Sequence, residues 1–467
     1  MDVEAMPKMK SAIILAAGKG TRMHSDNPKV MHMVCQKPMI AHIIDHLKEA
    51  GAERIVSVVG YGHEIVEAAM KDRCEFALQE PQLGSGHAAM MAKQLEHETG
   101  QTLVVNGDCP CIRPETYQKL YEALNTSDMA VLTVTLPAGG AYGRIVRGDQ
   151  GCIRAIVEAK DCSPAQLGIR EINTGIYAFR TELLFENLKA LKNENAQHEY
   201  YITDLVQIFA DKGLNVMAVP ALDAEEVQGI NDNVELAAAN CYLQKRINTE
   251  WMKKGVTMIN PDSTYIGPDV TFGYDVILYP NVYLEGTTSI GNHTLIMPQS
   301  LLVNAKIGDN DIINASEITD SEVKNDCKIG PYTHLRMNTL IEDKNRIGNF
   351  VEFKNTHFGL DSRCAHLTYL GDSEVGSKVN IGCGVITVNY DGKYKYHTVI
   401  KDGAFIGSNC NLIAPVTVGE NAVVAAGSTA NHDVPDGSMA IGRVRQENKP
   451  GYGLKYKDKD KGKRKNG

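Results

Sequence analysis

The stretch at residues 329–353, IGPYTHLRMNTLIEDKNRIGNFVEF, carries a large apolar residue at every sixth position: Ile329, Leu335, Ile341, Ile347 and Phe353. The same spacing runs upstream through Ile266, Phe272, Leu278, Leu284, Ile290, Ile296 and Leu302. It resumes downstream at Ile400, Ile406, Leu412, Val418 and Val424. An amphipathic helix repeats every 3.6 residues and a half-buried strand every two, so neither alone explains a constant six. In a strand meander, turns of varying length would scramble the register within two or three strands. A steady six places one inward residue on each short side of a coil, the hexapeptide signature of a left-handed parallel β-helix. Glycine often follows the apolar residue, as at Gly267, Gly273, Gly291, Gly330, Gly348, Gly382, Gly407 and Gly419. The flat outer faces of such a prism commonly pack together, so a homotrimer is expected.

One segment breaks the ladder. TVNYDGKYKYHT, residues 387–398, is polar, aromatic and basic, and must leave the coil as a loop. Loops carried by a regular scaffold are where function concentrates. Before the coil, residues 231–255 read as a single linker helix, roughly 35 Å long at the usual rise. The expected layout is therefore a first domain over 1–230, the linker over 231–255, the β-helix over 256–450, and a basic, disordered tail over 451–467.

The first 230 residues have a different texture. ERIVSVVG (53–60), TLVVNGD (102–108) and MAVLTVTL (129–136) read as strands. MIAHIIDHLKEAG (39–51) and RPETYQKLYEAL (113–124) have helical spacing. Alternation of this kind predicts a Rossmann-like α/β domain, with parallel strands between two layers of helices. Ligands in that architecture bind beyond the carboxyl ends of the strands.

At 467 residues the chain exceeds what one core usually supports. Net charge is −9, while the run 455–467 holds seven basic and two acidic residues, leaving the remainder at −9 − 5 = −14. That balance argues against nonspecific nucleic-acid binding. The eleven cysteines are odd in number and dispersed, which fits a reducing cytoplasm better than a disulfide framework. Cys109 and Cys111 lack a second pair at zinc spacing. The apolar run after Lys10 is too short, and too soon followed by Lys19 and Arg22, for a signal peptide. No apolar run approaches the ~20 residues of a membrane span.

The segment SAIILAAGKGTRMHSDNPK, residues 11–29, is a glycine loop after an apolar strand, but of neither familiar nucleotide type. A Walker loop would need a glycine where Ile13 stands, and the dinucleotide fingerprint would need one at Met23. Lys19, Arg22 and Lys29 around Gly18 and Gly20 instead point to a phosphate site read by charge.

LAAGKGTRM with NPK resembles the sugar nucleotidyltransferases. With GDCP, AYGRI, INTGIY and GIND, and with HLTYLGD and NYDG in the repeat region, residues 11–450 resemble one bifunctional family. Its members combine N-acetylglucosamine-1-phosphate uridylyltransferase with glucosamine-1-phosphate N-acetyltransferase activity, for cell-wall precursor synthesis. The resemblance implies UTP and acetyl-CoA as substrates and Mg2+ as cofactor. It implies that Leu15, Ala16, Ala17 and Gly18 approach the nucleotide phosphates, with Arg22 and Lys29 as catalytic cations. Gln79, Gly84 and Ser85 would read the uracil, and Asn106 and Gly107 would belong to the UTP and UDP-N-acetylglucosamine site, Asn106 at the edge of the sugar pocket. Asp108 and Asn231 would hold Mg2+, and Gly143, Glu158 and Asn173 the sugar. In the second domain His366 would be the general base, because an ammonium cannot attack a thioester. Arg336 and Lys354 would clamp the sugar phosphate, and Tyr369 and Asn380 would orient the amino sugar together with the Asn389–Tyr390 loop. Cys383, Asn389, Tyr390, Ser408, Ala426 and Arg443 would contact acetyl-CoA in a groove between neighbouring chains.

Three positions depart from the family pattern: Ser85 for Thr, Asn106 for Tyr, and Cys383 for Ala. A cysteine at 383 either packs as a small apolar residue or presents a thiol to electrophiles. Asn231 and Asp108 could also act as helix caps. The alternative function is a single-activity nucleotidyltransferase whose β-helix only assembles or regulates. The NYDG loop with His366, Arg336 and Lys354 argues against it, because a purely structural coil would not need them. An ice-binding coil would need flat threonine arrays, and none is present.

Overall fold

In the computed structural model, residues 9–148, 151–195 and 197–456 are described, and they form two compact units. One comprises the chain up to Glu250 together with Ile266–Pro268. The other comprises Trp251–Tyr265 and the chain from Asp269 onward.

The first unit is built on a twisted sheet. Its main path runs Val216–Pro220, Met129–Thr135, Glu171–Arg180, Gly100–Asn106, Met9–Ala16, Arg54–Val59, Glu75–Leu78. Alternation along Met9–Ala16 divides its side chains between two cores. Ala12, Ile14 and Ala16 join the cluster under the helices Met39–Glu49 and Pro114–Ala123. Ile13 joins the cluster under Ser85–Met91, Thr181–Leu188 and Asp204–Asp211. Burial on both faces explains why the strand reads as a continuous apolar run. Helix Met39–Glu49 ends where Gly51 adopts φ +94°, a conformation that suits glycine.

The sheet is mixed, not wholly parallel. Glu171–Arg180 runs antiparallel to both Gly100–Asn106 and Met129–Thr135, with an irregularity between Asn173 and Tyr177. The polar INTG segment hides this strand from an apolar pattern, and the irregularity leaves Asn173 between Thr133 and Gly143. The long helix covers Asn233–Lys253, shorter at both ends than residues 231–255. Asp232 is the reason at the start: its Oδ1 accepts from the N–H groups of Val234 and Glu235 at 2.9 Å each.

The second unit is a left-handed parallel β-helix in which, among the described residues, 26 strands pair with neighbouring coils; most are short, but Arg346–Phe358 and Arg363–Val375 each run through thirteen residues. Its inward residues form three columns. One runs Leu278, Ile296, Ile313, Ile329, Ile347, Cys364, Ile381, Ile406, Val424. A second includes Leu284, Leu302, Ile318, Leu335, Phe353 and Leu370. The third runs Phe272, Ile290, Ile307, Val323, Ile341, Phe358, Val375, Ile400, Val418. Residues six apart thus step from column to column around the prism. The first rung is closed by Trp251, whose ring meets Phe272 edge-on at 4.9 Å. The coil breaks between Ile386–Val388 and Thr398–Ile400, where the NYDGKYKYH segment leaves it. Tyr452–Tyr456 forms one 3-10 turn, and the tail beyond 456 lies outside the described residues.

One corner inside the prism is polar. Asp311 is fully buried; its Oδ1 accepts from the Cys327 N–H at 2.7 Å, while Oδ2 has no partner. Burial pushes this carboxyl up to about 8, against hydrogen bonds from the Cys327 and Gly308 backbone. Asp326 and Asp309 push the same way as burial. A folded-state value above the unfolded one means that the folded chain holds the extra proton. Stability is therefore fully present near pH 4 and falls as pH rises to 8, by at most about 1.4 kcal/mol per pH unit. Asp311→Asn, which is isosteric and does not ionise, should raise the melting midpoint more at pH 8 than at pH 6. Parallel melting curves at the two pH values would contradict this.

Candidate active sites

The glycine loop follows the end of Met9–Ala16, beside the end of Gly100–Asn106, where the Gly107 N–H donates to the Leu15 carbonyl at 2.9 Å. A side chain at Gly107 would meet Val30 Cγ1 at 2.9 Å, so glycine permits the close approach. The Ala17 carbonyl is fixed by Gln82 Nε2 at 2.5 Å and by the Tyr61 N–H at 3.2 Å. Gly18 is exposed, and no atom lies within 4 Å of where its Cβ would be, so a ligand can lie against the backbone. Arg22 is exposed, and Lys19 Nζ lies 5.1 Å from the centre of the Tyr61 ring.

Lys29, Asp108 and Asn231 come together although they lie on three separate segments. Lys29 Nζ donates to Asp108 Oδ2 at 2.6 Å and to Asn231 Oδ1 at 2.8 Å. Neither Asp108 nor Asn231 serves as a cap here. Asp232 caps the helix, which leaves the Asn231 amide oxygen free to face Asp108. Glu235, in the helix's first turn, fixes Asn231 by accepting its N–H at 2.6 Å. The Ile230 N–H donates to the Asp108 carbonyl at 3.0 Å and ties the two segments. Two hard oxygen donors converging on one cation suit Mg2+ chemistry. Sequence reasoning missed Glu235 and Asp232, since acidic residues opening a helix carry no mark of a site.

Gln79 is buried; its amide donates to the Gly84 carbonyl at 2.9 Å and meets His87 Nδ1 at 3.2 Å. Ser85 Oγ accepts from the Ile202 N–H at 3.2 Å, so the hydroxyl retains its own proton to donate. Gly84, at φ +100°, lies where a Cβ would come within 2.6 Å of the Tyr200 carbonyl.

Gly143, Glu158 and Asn173 are assembled beside the bulge. The Asn173 N–H donates to the Gly143 carbonyl at 2.9 Å, and a Cβ on Gly143 would lie 3.4 Å from Glu158 Oε1. Asn106 Nδ2 sits 2.5 Å from the Cβ position of Gly175, which holds φ +80°. Glu158 borders a cavity of about 750 Å³ shared with Lys160, Tyr201 and Asp204. Burial raises its carboxyl above the usual range, with Asp161 and Asp204 adding to the rise and Lys160 opposing it. Burial raises Asp204 as well. Carboxylate oxygens lining a cavity can accept from sugar hydroxyls.

In the β-helix, Arg336 and Lys354 occupy the same register on adjacent coils, and Arg336 donates to Glu352 at 2.5 Å. The Lys395 ammonium beside Lys354, with Arg336 near it, lowers the Lys354 ammonium below its ordinary value, Asp372 opposing. Three cations crowded together mark an anion site. Lys395 was not singled out from sequence, because only the fold of the extruded loop brings it back over the coil. Asp391 shapes that loop, accepting from the N–H groups of Lys393 and Tyr394 and from the Tyr396 hydroxyl. A bridge pairs Tyr390 with Lys395. Asn389 donates to Asp372 at 2.6 Å, and a Cβ on Gly371 would strike the Tyr369 hydroxyl at 2.4 Å and Asn389 Nδ2 at 2.7 Å.

His366 is exposed, opposite Asn349 in register and three residues before Tyr369. Its carbonyl accepts from the Thr368 hydroxyl at 2.8 Å. Above it, Cys383, Ser408, Ala426 and Arg443 climb one edge of the prism. The Cys383 carbonyl accepts from Asn409 N–H at 2.7 Å, that of Ser408 from Gly427 N–H at 2.8 Å, and that of Ala426 from Arg443 Nε at 2.9 Å. Asn380 is half-buried, paired in register with Arg363 and Phe405, and is not part of that edge. Cys383 is exposed on its own chain, so its thiol does not pack among the inward columns of that chain. The inward cysteine is its neighbour in space, Cys364, whose thiol burial pushes up to about 12.

Residues 12–197 match the MobA-like NTP transferase domain, and residues 397–432 match the bacterial transferase hexapeptide repeat. The bifunctional protein GlmU of Exiguobacterium sibiricum is 49 % identical over 444 residues, 94 % of this chain and 99 % of that one. The bifunctional protein GlmU of Geobacillus thermodenitrificans is 48 % identical over 453 residues, 96 % of this chain and 99 % of that one. The Halalkalibacterium halodurans bifunctional protein GlmU is 46 % identical, covering 94 % and 98 %.

Proposed function

From the premise that this chain belongs to the bifunctional GlmU family, we propose which of its residues carry each of its two activities. The chain is a uridylyltransferase and acetyltransferase of UDP-N-acetylglucosamine synthesis, with sugar phosphates, UTP and acetyl-CoA as its small-molecule substrates. The two activities divide between residues 1–230 and 256–450, with the helix over 231–255 linking them.

Acetyl transfer belongs to the edge of the β-helix. The crowding of Lys354, Lys395 and Arg336 is the observation that carries this reading, since it is relieved by a dianionic phosphate. With the sugar phosphate held there, Tyr369, Asn380 and the Asn389–Tyr390 loop orient the amino sugar. Its amine attacks the thioester carbonyl, His366 takes the proton, and the coenzyme leaves as thiolate along the Cys383–Ser408–Ala426–Arg443 edge. Lys395→Ala should raise KM for glucosamine-1-phosphate by about tenfold, the worth of one such contact. Uridylyl transfer should be unchanged. An unaltered KM would remove the phosphate from this site.

Uridylyl transfer belongs to the glycine loop. A phosphate oxygen of N-acetylglucosamine-1-phosphate attacks the α-phosphorus of UTP, and pyrophosphate leaves. The backbone from Leu15 to Gly18 lies along the phosphates, and Arg22 and Lys29 offset their developing charge. Gln79, Gly84 and Ser85 face the base, Gly143, Glu158 and Asn173 receive the sugar, and Asn106 and Gly107 complete the nucleotide-sugar site, Asn106 at the edge of the sugar pocket. Asp108 and Asn231 would hold Mg2+, which when bound would neutralise phosphate charge in the transition state.

The assembly is a homotrimer. Tyr332, Phe350 and Leu367 are each more than half exposed on neighbouring coils, and the first two rings stack at 5.3 Å. An apolar stripe of this kind favours burial against another copy. Because it borders His366, the acetyl-donor groove lies between copies. The protein works in the cytoplasm, a reading supported by eleven free thiols. Among the described residues no helix is long and apolar enough to cross a membrane.

A further inference from the structure

The Lys29 ammonium lies on the same two oxygens that the reading above gives to the divalent cation. It bonds Asp108 Oδ2 at 2.6 Å and Asn231 Oδ1 at 2.8 Å, with 13 % of its side chain exposed. Its stem rests on Gly20, at φ +64°, where an added Cβ would come within 2.6 Å of Lys29 Cβ. The acceptors are held independently of the lysine. Asn231 is fixed through its N–H to Glu235, and Asp108 through its carbonyl to Ile230. A pair of acceptors fixed in this way offers one position, and an ammonium fills it.

An octahedral Mg2+ on these oxygens would sit about 2.1 Å from each, closer than the lysine nitrogen. Both cations would then draw on the same lone pairs while repelling each other across a few ångströms. They cannot be bound there together. The other place for the ammonium is on the nucleotide, because the open backbone at Gly18, two residues before the Gly20 that the lysine stem rests on, admits phosphates.

We propose that Lys29 is a displaceable cationic plug in the divalent-cation position, withdrawn when a triphosphate offers it stronger acceptors. Metal and nucleotide binding are then positively coupled, and by linkage each raises the affinity of the other. Without nucleotide the metal must displace Lys29 unaided, and its apparent affinity is reduced by the fraction of time the plug is in place. The proposal rests on the assignment of Asp108 and Asn231 as metal ligands.

The test is direct binding of Mn2+ to the full-length protein without nucleotide, followed by the electron paramagnetic resonance of the free ion. Lys29→Met keeps an apolar stem and removes the charge. It should bind Mn2+ at least about tenfold more tightly than the unmodified protein, as expected when a competitor occupying nine-tenths of the sites is removed. Adding Asp108→Asn should abolish that gain. Lys29→Gln repeats the comparison if thermal melting finds Lys29→Met unfolded. Affinity no higher than that of the unmodified protein in a folded Lys29 variant overturns the plug. The metal assignment is then judged separately, by whether Asp108→Asn alone weakens Mn2+ binding. A gain that survives in the double variant puts the ion elsewhere and overturns the assignment itself.

Discussion

Asp108→Asn is expected to lower uridylyl transfer by at least about 10²-fold, the scale of losing one preorganised electrostatic contact, and to leave acetyl transfer at its full rate. The substitution preserves shape and removes one negative charge from a site where that charge has two tasks. On the proposed reading it holds the cation when nucleotide is bound, and it fixes Lys29 at 2.6 Å when nucleotide is absent. An amide oxygen can still accept from the ammonium, so the local fold should survive. The neutral set of two amides binds a hard divalent ion far less well than a carboxylate does. On the proposed reading acetyl transfer uses residues of the other unit. Both rates are measured on one preparation, with a melting curve to establish folding. Loss of both activities in a folded Asp108→Asn protein would mean one shared site, and would return the account to its starting point.

His366→Ala is expected to lower acetyl transfer by about 10² to 10⁴-fold, the usual worth of a positioned base. Uridylyl transfer should not change. The deficit should narrow as pH rises, because more of the substrate amine is then free without help. A deficit that stays constant with pH would make His366 a positioning residue. Among the described residues no side chain hydrogen-bonds the His366 ring, so the imidazole is open to the incoming amine. What is fixed is its backbone, through the Thr368 hydroxyl at 2.8 Å.

The β-helix was legible because its rule is geometric: one inward residue per short side. The rule weakens where coils shorten. Ile307, Ile313, Ile318 and Val323 lie on the same three columns, but are spaced five or six apart, so a count of six passes over them. A corner can lose a residue without disturbing the column, because pairing to the coils above and below fixes the register. In the first unit the apolar strands were plain and Glu171–Arg180 was not. Its INTG segment serves a bulge within the sheet, and no periodicity announces a bulge.

Site residues followed the same division. Short motifs led to Lys29, Asp108, Asn231 and His366, yet the contact among the first three joins positions 79 and 202 residues apart. Spacing cannot report such a contact. Lys395 escaped notice because its meaning depends on a loop that folds back over Lys354. Cys383 could be read either way from sequence, since a thiol after Gly382 fits a column or an edge equally well. The structure places Cys364 in the column and Cys383 on the edge.

The central claim is that one chain performs both transfers in a fixed order, acetyl before uridylyl. It is tested by incubating the pure protein with glucosamine-1-phosphate, acetyl-CoA, UTP and Mg2+, and weighing the products by mass spectrometry. The account predicts UDP-N-acetylglucosamine, free coenzyme A and pyrophosphate. Omitting UTP should halt the reaction at N-acetylglucosamine-1-phosphate, and omitting acetyl-CoA should leave glucosamine-1-phosphate largely unconsumed. A chain that joins UTP to added N-acetylglucosamine-1-phosphate but never acetylates glucosamine-1-phosphate would contradict it, and would leave the β-helix a scaffold.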